Sequence, residues 1–172
     1  MTRMIPMLAL ALAVAAPSAA HAAGAAGGHH HHGGARLLVA VDGKNLEAEL
    51  VAPLDSLVGF EHAPRNEKER KALEAVQARF RNPADLLTPT AAAGCSPGPA
   101  EVQQSSAGGH AELRALIVFQ CLQPRALQDI EVGLFDAFPR LRRLDAEIAV
   151  PGRQSAARLD RQRRRITWQA SP

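Results

Sequence analysis

Arg36-Leu37-Leu38-Val39-Ala40-Val41-Asp42-Gly43-Lys44-Asn45-Leu46-Glu47-Ala48-Glu49-Leu50-Val51 is the stretch whose reading decides the fold. Its first part is dense in Leu and Val, as a strand is. Asp42-Gly43 supplies turn chemistry suited to a tight hairpin. From Asn45 the pattern alternates, with Leu46, Ala48 and Leu50 set against Glu47, Glu49 and Val51. A period of two marks a strand with one face on a core and the other in water. Pro53 ends the second strand.

The same pattern recurs downstream. Ala111 to Cys121 is a long β-type segment whose Leu113, Ala115, Ile117 and Phe119 share one face. Ile130 to Leu134, Asp145 to Val150, Gln154 to Leu159 and Arg165 to Gln169 read as further strands. A shorter one is expected around Glu101 to Gln104, inside the Pro/Gly/Ser/Gln loop Ser96 to Gly109. Asn66 to Phe80 is the clearest helix: Asn66 can cap it, Glu69 three residues on resembles a capping box, and Leu73, Val76 and Phe80 form one stripe. Asn82-Pro83 starts a short helical turn through Leu87, with Pro in its favoured first position. Pro124 to Gln128 reads as a turn, and Phe135 to Leu141 as a loop or turn of helix. Many short strands with one main helix predict an α+β fold, a largely antiparallel β-sheet or sandwich.

The N-terminus has the three parts of a secretory signal. Arg3 is the positive region, Ile5 to Ala16 the apolar run, and Ala20-His21-Ala22 the small-x-small pattern of a cleavage site. Residues 1–22 are therefore expected to be a signal peptide. The apolar run is short of the roughly 20 residues that span a bilayer, and no Cys near the cleavage point offers a lipid anchor. Residues 23–34, rich in Ala, Gly and His, hold no large apolar side chain and read as a disordered tail. Residues 35–172 are long enough for a single domain with its own core. Without Arg3 the chain carries 19 basic and 17 acidic residues. A balance that close gives no reason to expect nucleic acid as a partner. The basic run Arg161 to Arg165 reads as a solvated edge or turn, with an anionic membrane contact as the alternative.

Export exposes Cys95 and Cys121 to an oxidising compartment, where an even pair reads as a disulfide. Free thiolates acting as metal ligands or redox groups are the alternative, but the spacing matches neither Cys-x-x-Cys nor a zinc-finger pattern. With the cysteines bridged, a metal site must be built from His and carboxylates.

His29-His30-His31-His32, flanked by glycines, is the strongest chemical signal. Neutral imidazole is a common ligand for zinc and other borderline ions, and glycines let several rings converge on one ion. Ordering the chain opposes binding, so such a site is weak to moderate. A purification tag and a functionless linker are the competing readings. His62 follows Glu61 on a loop from which both can reach one ion; a hydrogen-bonded structural His beside a buried Phe60 is the commoner arrangement. His110 and Glu112 lie two apart at the start of a strand, hence on one face. They can share an ion, or they are an exposed pair at a loop end.

Gly94-Cys95-Ser96-Pro97-Gly98 matches the Gly-x-Ser-x-Gly pattern of α/β-hydrolases, whose oxyanion hole uses the N–H of the residue after the serine. That residue here is Pro97, which has none. No phosphate loop, dinucleotide fingerprint or His-Glu-x-x-His is present. The expectation is a non-enzyme.

Several pieces together resemble the zinc-regulated, ZrgA-like periplasmic family of Gram-negative bacteria. They are the His-rich start, Arg36 to Gly43, Leu57-Val58-Gly59-Phe60-Glu61-His62-Ala63-Pro64 and Ala93-Gly94-Cys95. His110-Ala111-Glu112 leading to Phe119-Gln120-Cys121, and Leu134 to Pro139, complete the set. The resemblance implies a periplasmic protein that binds zinc and delivers it towards an inner-membrane zinc importer or its binding protein. Family members often carry a His/Asp/Glu-rich segment between the first Cys and the strand leading to the second; Ser96 to Gly109 has no His and one acid, Glu101. The ligands left to carry over are His29 to His32, His62 and His110, with Cys95–Cys121 as the bridge.

Overall fold

The computed structural model describes residues 33–107 and 110–168. The signal-peptide reading of 1–22, the tail residues 23–32 and hence His29 to His32 lie outside the described residues. In chain order the elements are β1 (Gly34–Asp42), β2 (Asn45–Pro53), α1 (Leu54–Leu57), α2 (Glu67–Arg79), β3 (Leu87–Pro89), β4 (Cys95–Pro97) and β5 (Glu101–Ala107). They continue with β6 (His110–Cys121), β7 (Asp129–Val132), α3 (Leu134–Ala137), β8 (Arg143–Val150), β9 (Arg153–Leu159) and β10 (Arg165–Thr167).

The opening hairpin forms as its pattern demands, with Asp42 opposite Asn45 and Arg36 opposite Val51. Gly43, at φ 56°, takes the left-handed turn position that favours glycine. β2 then pairs antiparallel with β6 along its whole length, from Asn45–Gln120 to Pro53–Glu112. The resulting seven-stranded sheet runs β4-β6-β2-β1-β8-β9, and β5 also pairs with β6. One pairing breaks the antiparallel rule: β1 and β8 are parallel. They are far apart in sequence, so the connection that parallel neighbours require is available. A second, three-stranded antiparallel sheet, β10-β7-β3, packs into the same hydrophobic cluster.

The large sheet is one-sided. Leu37, Val39, Leu46, Leu50, Leu113 and Ile117 are buried, while Arg36, Glu47 and Arg114 between them are exposed. Phe80, Phe119, Phe135 and Phe138 are fully inside, and each stabilises the fold by roughly 1.5–3 kcal/mol. The rings of Phe80 and Phe138 stack at 5.7 Å, which ties the end of α2 to the residue after α3.

Three details depart from the sequence reading. Gly34, counted with the tail by composition, is the buried first residue of β1. Its carbonyl accepts from Ser56 Oγ at 2.9 Å, and the Gly33 carbonyl accepts from the Arg142 and Arg143 amides. Leu87, expected to end a helical turn, instead opens β3 opposite Val132. The strand expected over Ile130 to Leu134 stops at Val132, and Leu134 begins α3. Gly133 marks that corner: a Cβ there would sit 2.2 Å from the Asp85 carbonyl oxygen, so only glycine lets the two loops meet.

Among the described residues no helix is long and apolar enough to cross a membrane. The basic run expected at a solvated edge leads into β10 and is largely paired. Arg163 bonds Asp160, Arg164 bonds Asp136, and Arg165 reaches Asp129 and Glu131.

Cys95 and Cys121 form the expected disulfide, directly opposite each other between β4 and β6. β4 has only three residues and lies on the sheet edge, so the covalent link does what its short hydrogen-bonded ladder cannot. A bridge spanning 26 residues stabilises by about 3 kcal/mol on the chain-entropy account. The Cys95→Ser/Cys121→Ser double variant is expected to lose about that much in urea unfolding, and a reductant should leave that variant's midpoint unchanged while lowering the wild-type one.

Candidate functional site

The start of β6 and the loop after α1 meet at one end of the large sheet. β2 ends at Pro53, opposite Glu112 of β6, and α1 follows immediately. Amides of Val58 and Gly59 bond back to Leu54 and Asp55, closing the α1 turn. Gly59, at φ 91°, then swings the chain outward. The Arg140 guanidinium packs against it so closely that a Cβ would fall 2.6 Å from Cζ. The backbone at 59 therefore favours glycine, while the Arg140 side chain could shift to admit a Cβ, and the segment Phe60-Glu61-His62 is aimed by that turn.

Glu61 reaches His110, with Oε2 2.6 Å from Nδ1. A carboxylate can only accept, so His110 donates to it from Nδ1–H. His62 follows the same logic. Its Nδ1 lies 2.9 Å from the Ala63 carbonyl oxygen, which also can only accept. The His62 ring stacks on Phe60 at 5.1 Å, and Phe60 is half-buried where full burial was expected. An imidazole whose Nδ1–H is held by a carboxylate or backbone carbonyl presents Nε2 in a fixed direction, which is how metal-binding histidines are usually oriented.

The neighbouring carboxylates have other work. Glu69 accepts from the Arg65 amide at 2.7 Å and from Asn66 Nδ2 at 3.1 Å, while Asn66 Oδ1 accepts from the Glu69 amide. The capping box read from Asn66 and Glu69 thus forms, displaced by one residue, since Glu69 reaches the amide of Arg65. Glu69 also lies 3.8 Å from His62 Nδ1. Glu112 faces Arg114 at 3.9 Å.

The candidate ligands therefore pair differently from their sequence neighbours. His62 and Glu61 do not converge through adjacency; Glu61 turns to His110, 49 residues away. Glu112, two residues on from His110 in the same strand, turns to Arg114. Glu61's part as the orienting group for His110 carries no local sequence signal, because that pairing forms only when the sheet brings β6 to the α1 loop; Glu69 comes beside His62 because α2 starts a few residues after it. Among the described residues no group of three or more His, Cys, Asp or Glu side chains is placed to hold a metal ion. Ser96 lies exposed in β4 opposite Gln120. Cys95 and Cys121 are bridged, and no cysteine is free.

Fold and site together define a disulfide-stapled, mixed-sheet protein that presents oriented imidazoles at one end of its main sheet. The chain belongs to the ZrgA family of zinc uptake proteins, whose sequence model it matches over residues 29–168. No curated protein matches the chain.

The Arg65 amide, more than any other contact, holds the Glu69 carboxyl below its ordinary 4.5, with further lowering from His62 and Asn66. A lowered folded value means that the contribution of Glu69 to stability is complete above about pH 4.5 and is lost as pH falls through the lower, folded value. An NMR titration of the Glu69 side chain should show this low midpoint in the wild type. Asn66→Ala should move it up towards 4.5 while lowering the melting temperature, because the cap is lost.

Proposed function

We propose that this protein binds zinc in the periplasm, and that it buffers the ion or passes it to an inner-membrane zinc importer or that importer's binding protein. The observation that carries the reading is that the match to a zinc uptake family begins at His29 and so takes in the whole run His29 to His32. His62 and His110 support it, since each has Nδ1 engaged by an acceptor, the arrangement that usually orients metal-binding histidines. Zinc is cargo here, taken by neutral imidazoles and released when they protonate or when a tighter acceptor competes. No catalytic step is assigned. Copper or nickel could occupy the same nitrogens, and copper generally binds such sites more tightly than zinc.

A second reading is a non-enzymatic periplasmic interaction module whose His tract is incidental. It is favoured by the lack of a complete ligand group among the described residues. Zinc titration of the chain from Ala23 to Pro172 separates the two. The zinc reading expects saturable binding at pH 7.5 that weakens steeply as pH falls below about 6.5, because protonated imidazole cannot ligate. Absence of saturable binding at pH 7.5 would sink it. Competition with copper and nickel in the same titration ranks the metals.

A further inference from the structure

We infer that the outer edge of β9 is a docking strand for an extended, acidic segment of a partner protein, which adds to the large sheet with its carboxylates on the arginines of that edge and of the cleft beside it. The inference goes beyond the zinc reading and needs no metal. β9 is the last strand of the large sheet and pairs with β8, from Leu144–Leu159 to Val150–Arg153. Among the described residues its other side is hydrogen-bonded to no strand. Such an edge leaves a row of backbone N–H and C=O groups open as a template for a further strand, unless a proline or a bulge breaks it. β9 reads Arg153-Gln154-Ser155-Ala156-Ala157-Arg158-Leu159, without proline, and its register against β8 advances one residue at a time, without a bulge. Arg153, Gln154, Ser155 and Ala156 point to alternate faces, yet all four are exposed. The first half of the strand is thus open on both faces as well as along its edge.

Charge decides what the edge accepts. β9 carries Arg153 and Arg158 and no acid, so an added strand meets only positive charge among its direct neighbours. A second β9 would bring no carboxylate to these arginines, and like charges across a pair are destabilising. β5, at the other edge of the sheet, carries a single acid, Glu101. Past Leu159 the chain turns back to β10, and the turn lines an open cleft of about 650 Å³ together with the end of β9. Arg158, Arg161, Arg163, Arg164 and Arg165 line it, against one acid, Glu131. The turn is held in place: Asp160 Oδ1 accepts from the Gln162 and Arg163 amides, Arg164 Nε donates to the Arg161 carbonyl, and Arg161 Nη2 donates to the Pro139 carbonyl. Carboxylates do stand behind most of these arginines. Asp145 pairs with Arg158, Asp160 with Arg163, Asp136 with Arg164, and Asp129 and Glu131 with Arg165. Glu147 faces Ala156, but from β8, on the inner side. Positive charge is still left over at the edge. Asp145 is shared with Arg143, and among the described residues Arg153 and Arg161 have no carboxylate partner. Arg158 gives Asp145 its Nε–H, which leaves both terminal nitrogens for another acceptor. The Arg158 and Arg163 side chains are 69% and 73% exposed, so their present pairs are weak and can exchange. An acid in register with Arg153 or Arg158 therefore meets a guanidinium, and the end of the segment runs on into the cleft. Main-chain hydrogen bonds supply the affinity of such a strand, and the arginines select its charge.

The test uses a fluorescein-labelled peptide as long as β9, alternating Glu with Val, titrated with the chain from Ala23 to Pro172 at neutral pH in EDTA and followed by fluorescence anisotropy. Saturable binding is expected, weakening as salt is added. The Arg158→Gln/Arg161→Gln variant should bind about tenfold or more weakly, with circular dichroism checking its fold. The same loss is expected on the wild type for a peptide with Lys in place of Glu, and for one N-methylated at alternate residues, which cannot complete a ladder. These two peptides keep the test decisive if the variant does not fold. Hydrogen exchange followed by NMR should show amides within Arg153 to Leu159 gaining protection when the Glu peptide is added. Absence of saturable binding, equal binding of the Lys peptide, or binding that leaves those amides exchanging as before would overturn the inference. Vesicles containing phosphatidylglycerol form a further arm, and their capture in place of the peptide would assign the arginines to a membrane surface instead. Self-association that already protects the β9 amides without peptide would assign the edge to a second copy, and would overturn it equally.

Discussion

The register of β2 against β6 is the constraint on which the rest of the molecule depends. The pairing runs from Asn45–Gln120 to Pro53–Glu112 without a break. A slip of one residue would turn Leu113, Ala115, Ile117 and Phe119 into water and bring Arg114 and Gln120 into the core. The same slip would move His110 away from Glu61, because α1 and the Gly59–His62 turn follow β2 directly. Core and site are thus set by one alignment. The hydrophobic face fixes it energetically, and the position of His110 is a geometric consequence.

Electrostatics at this end of the sheet are arranged more by hydrogen bonds than by charge density. Glu61 and the Ala63 carbonyl each take an imidazole Nδ1–H, which orients both rings. Glu69 and Asn66 spend their oxygens on the first turn of α2, where backbone amides lack partners within the helix. Arg114 sits between Glu49 and Glu112, so these two acids on the open face of the sheet are balanced in place. Oriented nitrogen donors and neutralised carboxylates suit a borderline ion such as zinc better than a hard ion that prefers an oxygen cage.

Much of the fold was legible because its strands obey a period of two with little interruption. The hairpin at Asp42-Gly43, the β6 face, α2 with its Asn66 cap and the Cys95–Cys121 bridge all follow from local rules. What escaped was long-range. The parallel pairing of β1 with β8 has no local signature, since both strands read the same whichever way they run. β3 and β4 have three residues each, too few to show a period. The site was legible only as a set of candidate residues. His62 and His110 stand out by type, but their real partners, Ala63 and Glu61, appear only when the chain has folded.

The positions of bridge and imidazoles on β6 bear on what the cysteines can do. Cys121 ends β6 and His110 begins it. Eleven residue steps at about 3.4 Å put them roughly 37 Å apart along the strand. Neither sulfur can share an ion with His110 at that distance, even after reduction, without unpairing β6 from β2. Thiolates would be strong competitors for zinc, and a bridge both removes them chemically and fixes them at the far end of the sheet. The arrangement separates the two tasks along one strand. One end is locked covalently to hold the short edge strand β4, and the other carries the hydrogen-bonded rings. Local opening at the imidazole end therefore need not disturb the staple.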